Sequence, residues 1–127
     1  MIYIDSSVAL AHIFAEPQRL PDSLWDEQLI SSRLLEYEVW NRIHAHGFTH
    51  SHEAVRELLS RIDLLELDLP CLARALEPFP VAVRTLDALH LASIEFLRAQ
   101  RQHIELASFD DRLLAAAQAL GIPTYKV

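Results

Sequence analysis

Short apolar, β-prone runs alternate with longer helical stretches along this 127-residue chain, and that alternation restricts its fold more than any other feature. "MIYI" reads as a buried strand that stops at Asp5, Ser6 and Ser7, ahead of the helical "VALAHIF". "PDSLWDE" follows as a short helix and "QLI" as a second strand. Ser31 or Ser32 caps the helix "RLLEYEVWNRIHAHG", which Gly47 ends. Ser51 opens "HEAVRELLSRID", and "LLELDL" is the third strand. "CLARALEPF" is a helix ended by Pro78 and Pro80, and Thr85 begins the long helix "TLDALHLASIEFLRAQ". "IELAS" is the fourth strand, "DDRLLAAAQALG" the last helix with Gly121 as C-cap, and "PTYKV" a closing strand.

This order predicts an α/β fold: a three-layer sandwich in which a mainly parallel central sheet carries helices on both faces through right-handed βαβ units. Only two glycines and no repeat, low-complexity segment or linker interrupt the chain, so residues 1–127 are expected to form a single domain. In parallel sheets of this kind, function gathers at the carboxyl ends of the strands.

Composition narrows the function classes. No apolar run reaches the ~20 residues of a bilayer span, and no basic stretch with an apolar segment opens the chain, so a cytoplasmic location is expected. The single cysteine, Cys71, excludes an internal disulfide and is read as a small buried hydrophobe. A net charge of −7 speaks against a protein that coats nucleic acid, unless several acids are gathered in one site around metal ions. The basic residues are ten Arg and one Lys, and arginine is the better fork for phosphate.

Two acids fall directly at the expected site edge. Asp5 follows the first strand and Asp110 leads into the last helix, although each is equally explained as a helix N-cap. Asp87 is harder to explain by local structure. On its helix it shares a face with His90, Leu91 and Ile94, where an ionised carboxylate costs several kcal/mol unless it is compensated. A first-turn position favoured by the helix dipole is its alternative explanation, and His90, one turn on, stands where it can orient it. Glu36 and Glu38 lie ~200° apart on their helix, so only one can face the site. Glu38 shares its face with Leu34, Leu35 and Arg42 and is the inward candidate; a surface pair with Arg42 is the bland alternative.

Asp5, Glu38, Asp87 and Asp110 thus come from four elements that a parallel sheet can bring to one edge. Four close carboxylates repel and are stable only with cations among them, and all-oxygen donors select Mg²⁺ or Mn²⁺ over Zn²⁺. A pair of such ions is a common device for hydrolysing phosphodiesters. "HAHGFTHSH" offers His44, His46, His50 and His52 for zinc, but these straddle a helix end and a glycine loop, without cysteine and without an established zinc spacing. A solvated inter-helix turn is the plainer reading.

At this point the segments resemble a known family. "YIDSSVAL" resembles the opening strand and Asp-[ST]-Ser of PIN-domain ribonucleases, and "SRLLEYEVWNRI" their Ser-x-Leu-x-x-x-Glu helix. "LDALHLA" is similar to the Asp-Ala-x-His-x-Ala segment of the VapC-type toxins, and "ASFDDRLLAAAQALGI" to the ending of that group. The resemblance implies a Mg²⁺- or Mn²⁺-dependent endoribonuclease, the toxin of a type II toxin–antitoxin pair. Asp5, Glu38, Asp87 and Asp110 match the family's acidic positions, Ser7 matches its supporting hydroxyl, and Ser108 stands where Thr is common. Asp111, next to the match, reads as a first-turn helix acid within reach of a water-mediated ligand role. A homodimer, a VapB-type antitoxin and structured RNA (tRNA or rRNA) are the implied partners. Two alternatives stay open: an RNA-processing nuclease without an antitoxin, and a non-catalytic metal- or RNA-binding module.

Overall fold

The computed structural model describes residues 1–14, 20–47 and 51–127. Four strands, β1 (Ile2–Ile4), β2 (Leu29–Ser32), β3 (Ile62–Leu65) and β4 (Glu105–Ala107), pair in the order β3-β2-β1-β4, every pair parallel. Six helices connect and flank them: α1 (Ser6–Ile13), α2 (Leu34–His46), α3 (His52–Ser60), α4 (Leu69–Ala75), α5 (Thr85–Ala99) and α6 (Asp111–Ala119). The expected "PDSLWDE" helix is a 3₁₀ turn over Asp22–Asp26.

Strand periodicity divides the core into two. Ile2 and Ile4 point to one face of β1, where they meet Val8 of α1, Leu35, Val39 and Ile43 of α2, and Val55 and Leu58 of α3. Tyr3 points to the other face and meets Leu91, Ile94 and Leu97 of α5 and Leu113, Ala116 and Ala117 of α6. Leu29 and Ile30 of β2 divide in the same way. Burial on both faces explains why these strands are nearly all apolar, and each fully buried Leu or Ile contributes about 1.5–3 kcal/mol. The α/β sandwich expected from the sequence is the fold observed.

Two elements fall elsewhere than expected. The third strand is Ile62–Leu65 rather than residues 64–69, and α3 stops at Ser60. The reason is pairing: Leu29↔Ile62 through Ser32↔Leu65 match β2 residue for residue. β2 then turns into α2 at Leu34, so the edge strand has nothing to pair with beyond Leu65, and Pro70 suits the first turn of α4. The closing "PTYKV" strand reduces to one parallel bridge, Leu106↔Thr124.

The strand order places a switch point beside β1: the chain leaves β1 for β2 on one side and returns to β4 on the other. Just beyond the carboxyl ends of β1 and β4 lie Asp5 and Ser108. Cys71 is buried and unpaired, as its reading required.

Candidate active site

Asp5 is fixed from three directions. As N-cap of α1 it accepts from the Val8 N–H at 3.3 Å. Ser7 Oγ donates to its Oδ1 and Ser108 Oγ to its Oδ2, both at 2.6 Å. Each hydroxyl is held in turn by a backbone amide: Phe109 N–H donates to Ser7 Oγ at 2.9 Å and Asp110 N–H to Ser108 Oγ at 2.9 Å. Burial raises the Asp5 pKa, opposed by the two serine hydroxyls, the His90 charge and the Val8 amide. The local structure therefore orients this carboxylate firmly without fully compensating its charge.

Glu38 projects from α2 toward α5. Its Oε2 accepts from Ser6 Oγ at 3.3 Å and its Oε1 from His90 Nε2 at 2.5 Å. His90 is buried, and its Nδ1 lies 2.7 Å from the Tyr3 hydroxyl, which also accepts from Ser32 N–H at 3.1 Å. Burial pulls the imidazole pKa down, but Tyr3 and Glu38 outweigh it and push it up to about 10. His90 thus serves Glu38 and not Asp87, the partner that local spacing suggests.

Asp87 and Asp110 share one cation. Arg84, just before α5, donates from Nε to Asp87 Oδ2 at 3.1 Å and from Nη2 to Asp110 Oδ2 at 2.8 Å. Asp110 also caps α6, its Oδ1 accepting from the Arg112 and Leu113 amides at 2.9 and 3.3 Å. The leucine-lined position foreseen for Asp87 is met in part: its side chain is 13% exposed and opens toward the cleft.

All four acids line one cleft of about 360 Å³, together with Ser6, Ser7, Arg42, Arg84 and His90. Ser108 lies behind Asp5, buried. Asp111 is exposed and lines a different depression with Leu114, Gln118 and Ile122, so a ligand role in the acidic cleft does not fit its position. Arg84 and Ser6 were not singled out from sequence. The three-residue spacing from Arg84 to Asp87 was the available signal, since it allows a pair in the first helical turn.

The chain resembles known proteins along nearly its whole length. The family model for the PIN domain matches residues 2–119. The chain belongs to the PIN-domain family. It is 34% identical to Ribonuclease VapC35 of Mycobacterium tuberculosis (strain ATCC 25618 / H37Rv) over 127 residues, covering 96% of this chain and 93% of that protein. It is 28% identical to Ribonuclease VapC47 of Mycobacterium tuberculosis (strain CDC 1551 / Oshkosh), over 98% of this chain and 95% of that protein. Ribonuclease VapC46 of the H37Rv strain is 34% identical, over 95% and 93% of the two chains. This PIN domain is thus of the VapC type, matched along nearly its whole length.

The donor set of the cleft suits a hard divalent cation: carboxylates and hydroxyls, with no thiolate. The buried Asp5, whose pKa is raised, is a charge that such a cation would compensate. In the side-chain arrangement seen here, Arg84 keeps Asp87 and Asp110 for itself, and among the described residues no three potential ligands converge. The same applies to the histidine-rich turn. His44 and His52 pack around Trp40, and His50 lies outside the described residues. No described helix is long and apolar enough to cross a membrane.

Proposed function

We propose that this PIN domain is a metal-dependent endoribonuclease, the toxin of a toxin–antitoxin pair, acting in the cytoplasm on structured RNA such as tRNA or rRNA. The observation that carries the reading is the gathering of Asp5, Glu38, Asp87 and Asp110, from four separate elements, around one cleft at the carboxyl edge of the sheet. The ribonuclease names of its VapC relatives agree with it. Those four residues are the proposed holders of Mg²⁺ or Mn²⁺, which when bound makes a water nucleophilic and stabilises the leaving oxygen.

The chain's own residues prepare the site. Ser7 and the Val8 amide fix Oδ1 of Asp5, and Ser108 fixes Oδ2, which keeps one lone pair for a ligand. His90 holds Glu38 in a single orientation and supplies a countercharge while no other cation is near. Leu10 and Leu86 form the apolar part of the cleft wall.

A VapB-type antitoxin and a homodimer belong to the same proposal. Leu69, Leu72 and Leu76 on and just after α4 and Val81 beyond it are exposed, which fits a surface that another chain covers. The test is cleavage of total bacterial RNA by antitoxin-free protein with Mg²⁺ or Mn²⁺, with EDTA, and with Asp87→Asn. Discrete cuts that need the metal and vanish in the variant are expected. Folded, metal-loaded protein that leaves every RNA class intact overturns the reading in favour of a binding module.

A further inference from the structure

The cleft presents four carboxylates to a substrate that is itself a polyanion, in a chain whose net charge is −7. Something in the cleft must receive the phosphates, and two arginines line it: Arg84 at the start of α5 and Arg42 on α2, one turn beyond Glu38. Most other described arginines are committed elsewhere. Arg33 is paired with Glu66 and Arg74 with Glu95, while Arg98 donates to the Leu120 and Gly121 carbonyls. Arg56 and Arg61 lie over Trp40 and Trp25.

Arg84 differs from the structural pairs in two respects. Its guanidinium bridges two of the proposed metal-holding acids, and its side chain remains 59% exposed, so its outer face is open to a second anion. Arg42 is exposed at the cleft rim, four residues after Glu38, and takes part in no ion pair among the described residues. Arginine is suited to such a position because its fork can bind two phosphate oxygens at once.

Resting on the ribonuclease reading, we propose that Arg84 and Arg42 are the phosphate-binding residues of this cleft, gripping the RNA backbone beside the acids. Arg84 has a second task in the same position: it neutralises Asp87 and Asp110 until a divalent cation does so, and its guanidinium is then free for phosphate. An acidic chain can hold RNA in this way because two arginines stand at the cleft itself, beside the acids, while Arg33 and Arg74 are paired with Glu66 and Glu95.

The experiment measures the affinity of a short fluorescein-labelled single-stranded RNA against salt concentration, with Ca²⁺ in place of Mg²⁺ and the RNA checked for intactness. Wild type is compared with Arg84→Ala, Arg42→Ala, the double variant, and Arg101→Ala, in the turn two residues past the end of α5, as control. Each cleft variant is expected to reduce the log–log salt slope by about 0.7, the value for neutralising one phosphate fewer on a single strand, and the double variant by about twice that. Arg101→Ala is expected to leave the slope unchanged. Mn²⁺ titration followed by calorimetry supplies an independent readout: Arg84→Ala binds Mn²⁺ several-fold more tightly than Arg42→Ala does, because no internal cation has to be displaced. If wild type cleaves RNA while both cleft variants keep its affinity and slope, or if Arg101→Ala weakens binding as much as they do, the phosphate-binding role is wrong. If wild type neither binds nor cleaves RNA, the ribonuclease reading fails first and this one with it.

Discussion

His90 Nε2 stands 2.5 Å from Glu38 Oε1, and its other ring nitrogen 2.7 Å from the Tyr3 hydroxyl, so one buried imidazole ties the strand β1 to a site carboxylate on α2. Removing it strands Glu38 beside a vacated pocket. His90→Ala is expected to cost on the order of 3 kcal/mol in urea unfolding, the usual penalty for breaking a buried charge pair. Any residual cleavage should fall more steeply than stability, since Glu38 is then free to rotate. Unchanged unfolding would mean that the pair contributes nothing to the fold.

The same pair sets a pH dependence. Its raised pKa, about 10 against an ordinary 6.5, means that between these values the folded protein keeps a proton the unfolded chain has released. Stability therefore falls as pH rises through this window; the contribution is complete below about 6.5 and gone above about 10. Urea unfolding across the window should show this decline in wild type, and a much flatter profile in His90→Gln, which cannot titrate.

Ser108 joins two site acids through one hydroxyl, donating to Asp5 and accepting from the Asp110 amide. Ser108→Ala removes both bonds. The expected result is a loss of about 1–3 kcal/mol, from a buried carboxylate oxygen and an amide left without partners, and a loss of activity of about 10–100-fold. Ser108→Thr, which keeps the hydroxyl, should restore most of each. Activity that falls equally in both variants would point to shape rather than hydrogen bonding at this position.

Asp111 supplies the complementary prediction. Although it adjoins Asp110, it is exposed and lines another depression. Asp111→Asn should leave cleavage within about twofold and change stability by less than about 0.5 kcal/mol, as surface substitutions usually do. A large drop in cleavage would return Asp111 to the site.

Much of this was legible in the residues. Strand and helix alternation points to the layers because Ile2, Tyr3 and Ile4 must all be buried in a sheet covered on both sides, and a run of apolar residues is how such a strand is written. Asp5, Glu38, Asp87 and Asp110 could be found because each sits at an element boundary or on an otherwise apolar face. The third strand ends at Leu65, four residues earlier than its pattern suggests, because the apolar alternation of "LLELDL" continues past Leu65, whereas pairing stops where β2 does. The partner of His90 was hidden for a similar reason. Local spacing offers Asp87, but the imidazole turns to Glu38, 52 residues away, across a gap that only the packing of α2 against the sheet closes. Of the two links of Arg84, the one to Asp87 has a local signal in its three-residue spacing, whereas the one to Asp110 spans 26 residues and has none.

Asp5 ties the fold to its proposed cation. Its pKa is raised chiefly by burial, so in the absence of a cation the ionised carboxylate costs stability at every pH above its unfolded value near 3.8. Asp5→Asn is therefore expected to melt at a higher temperature than wild type when divalent ions are removed, although one serine hydroxyl must turn to accept from the new amide. Adding Mg²⁺ should reverse the order: wild type gains about 2.7 kcal/mol at a hundred times the dissociation constant, while Asp5→Asn gains little. Cleavage should be absent in the variant under both conditions. Thermal melts with EDTA and with Mg²⁺ check this directly. A wild-type melting temperature that does not respond to Mg²⁺ or Mn²⁺ would separate the acidic cleft from metal binding and leave Asp5 as a helix cap alone.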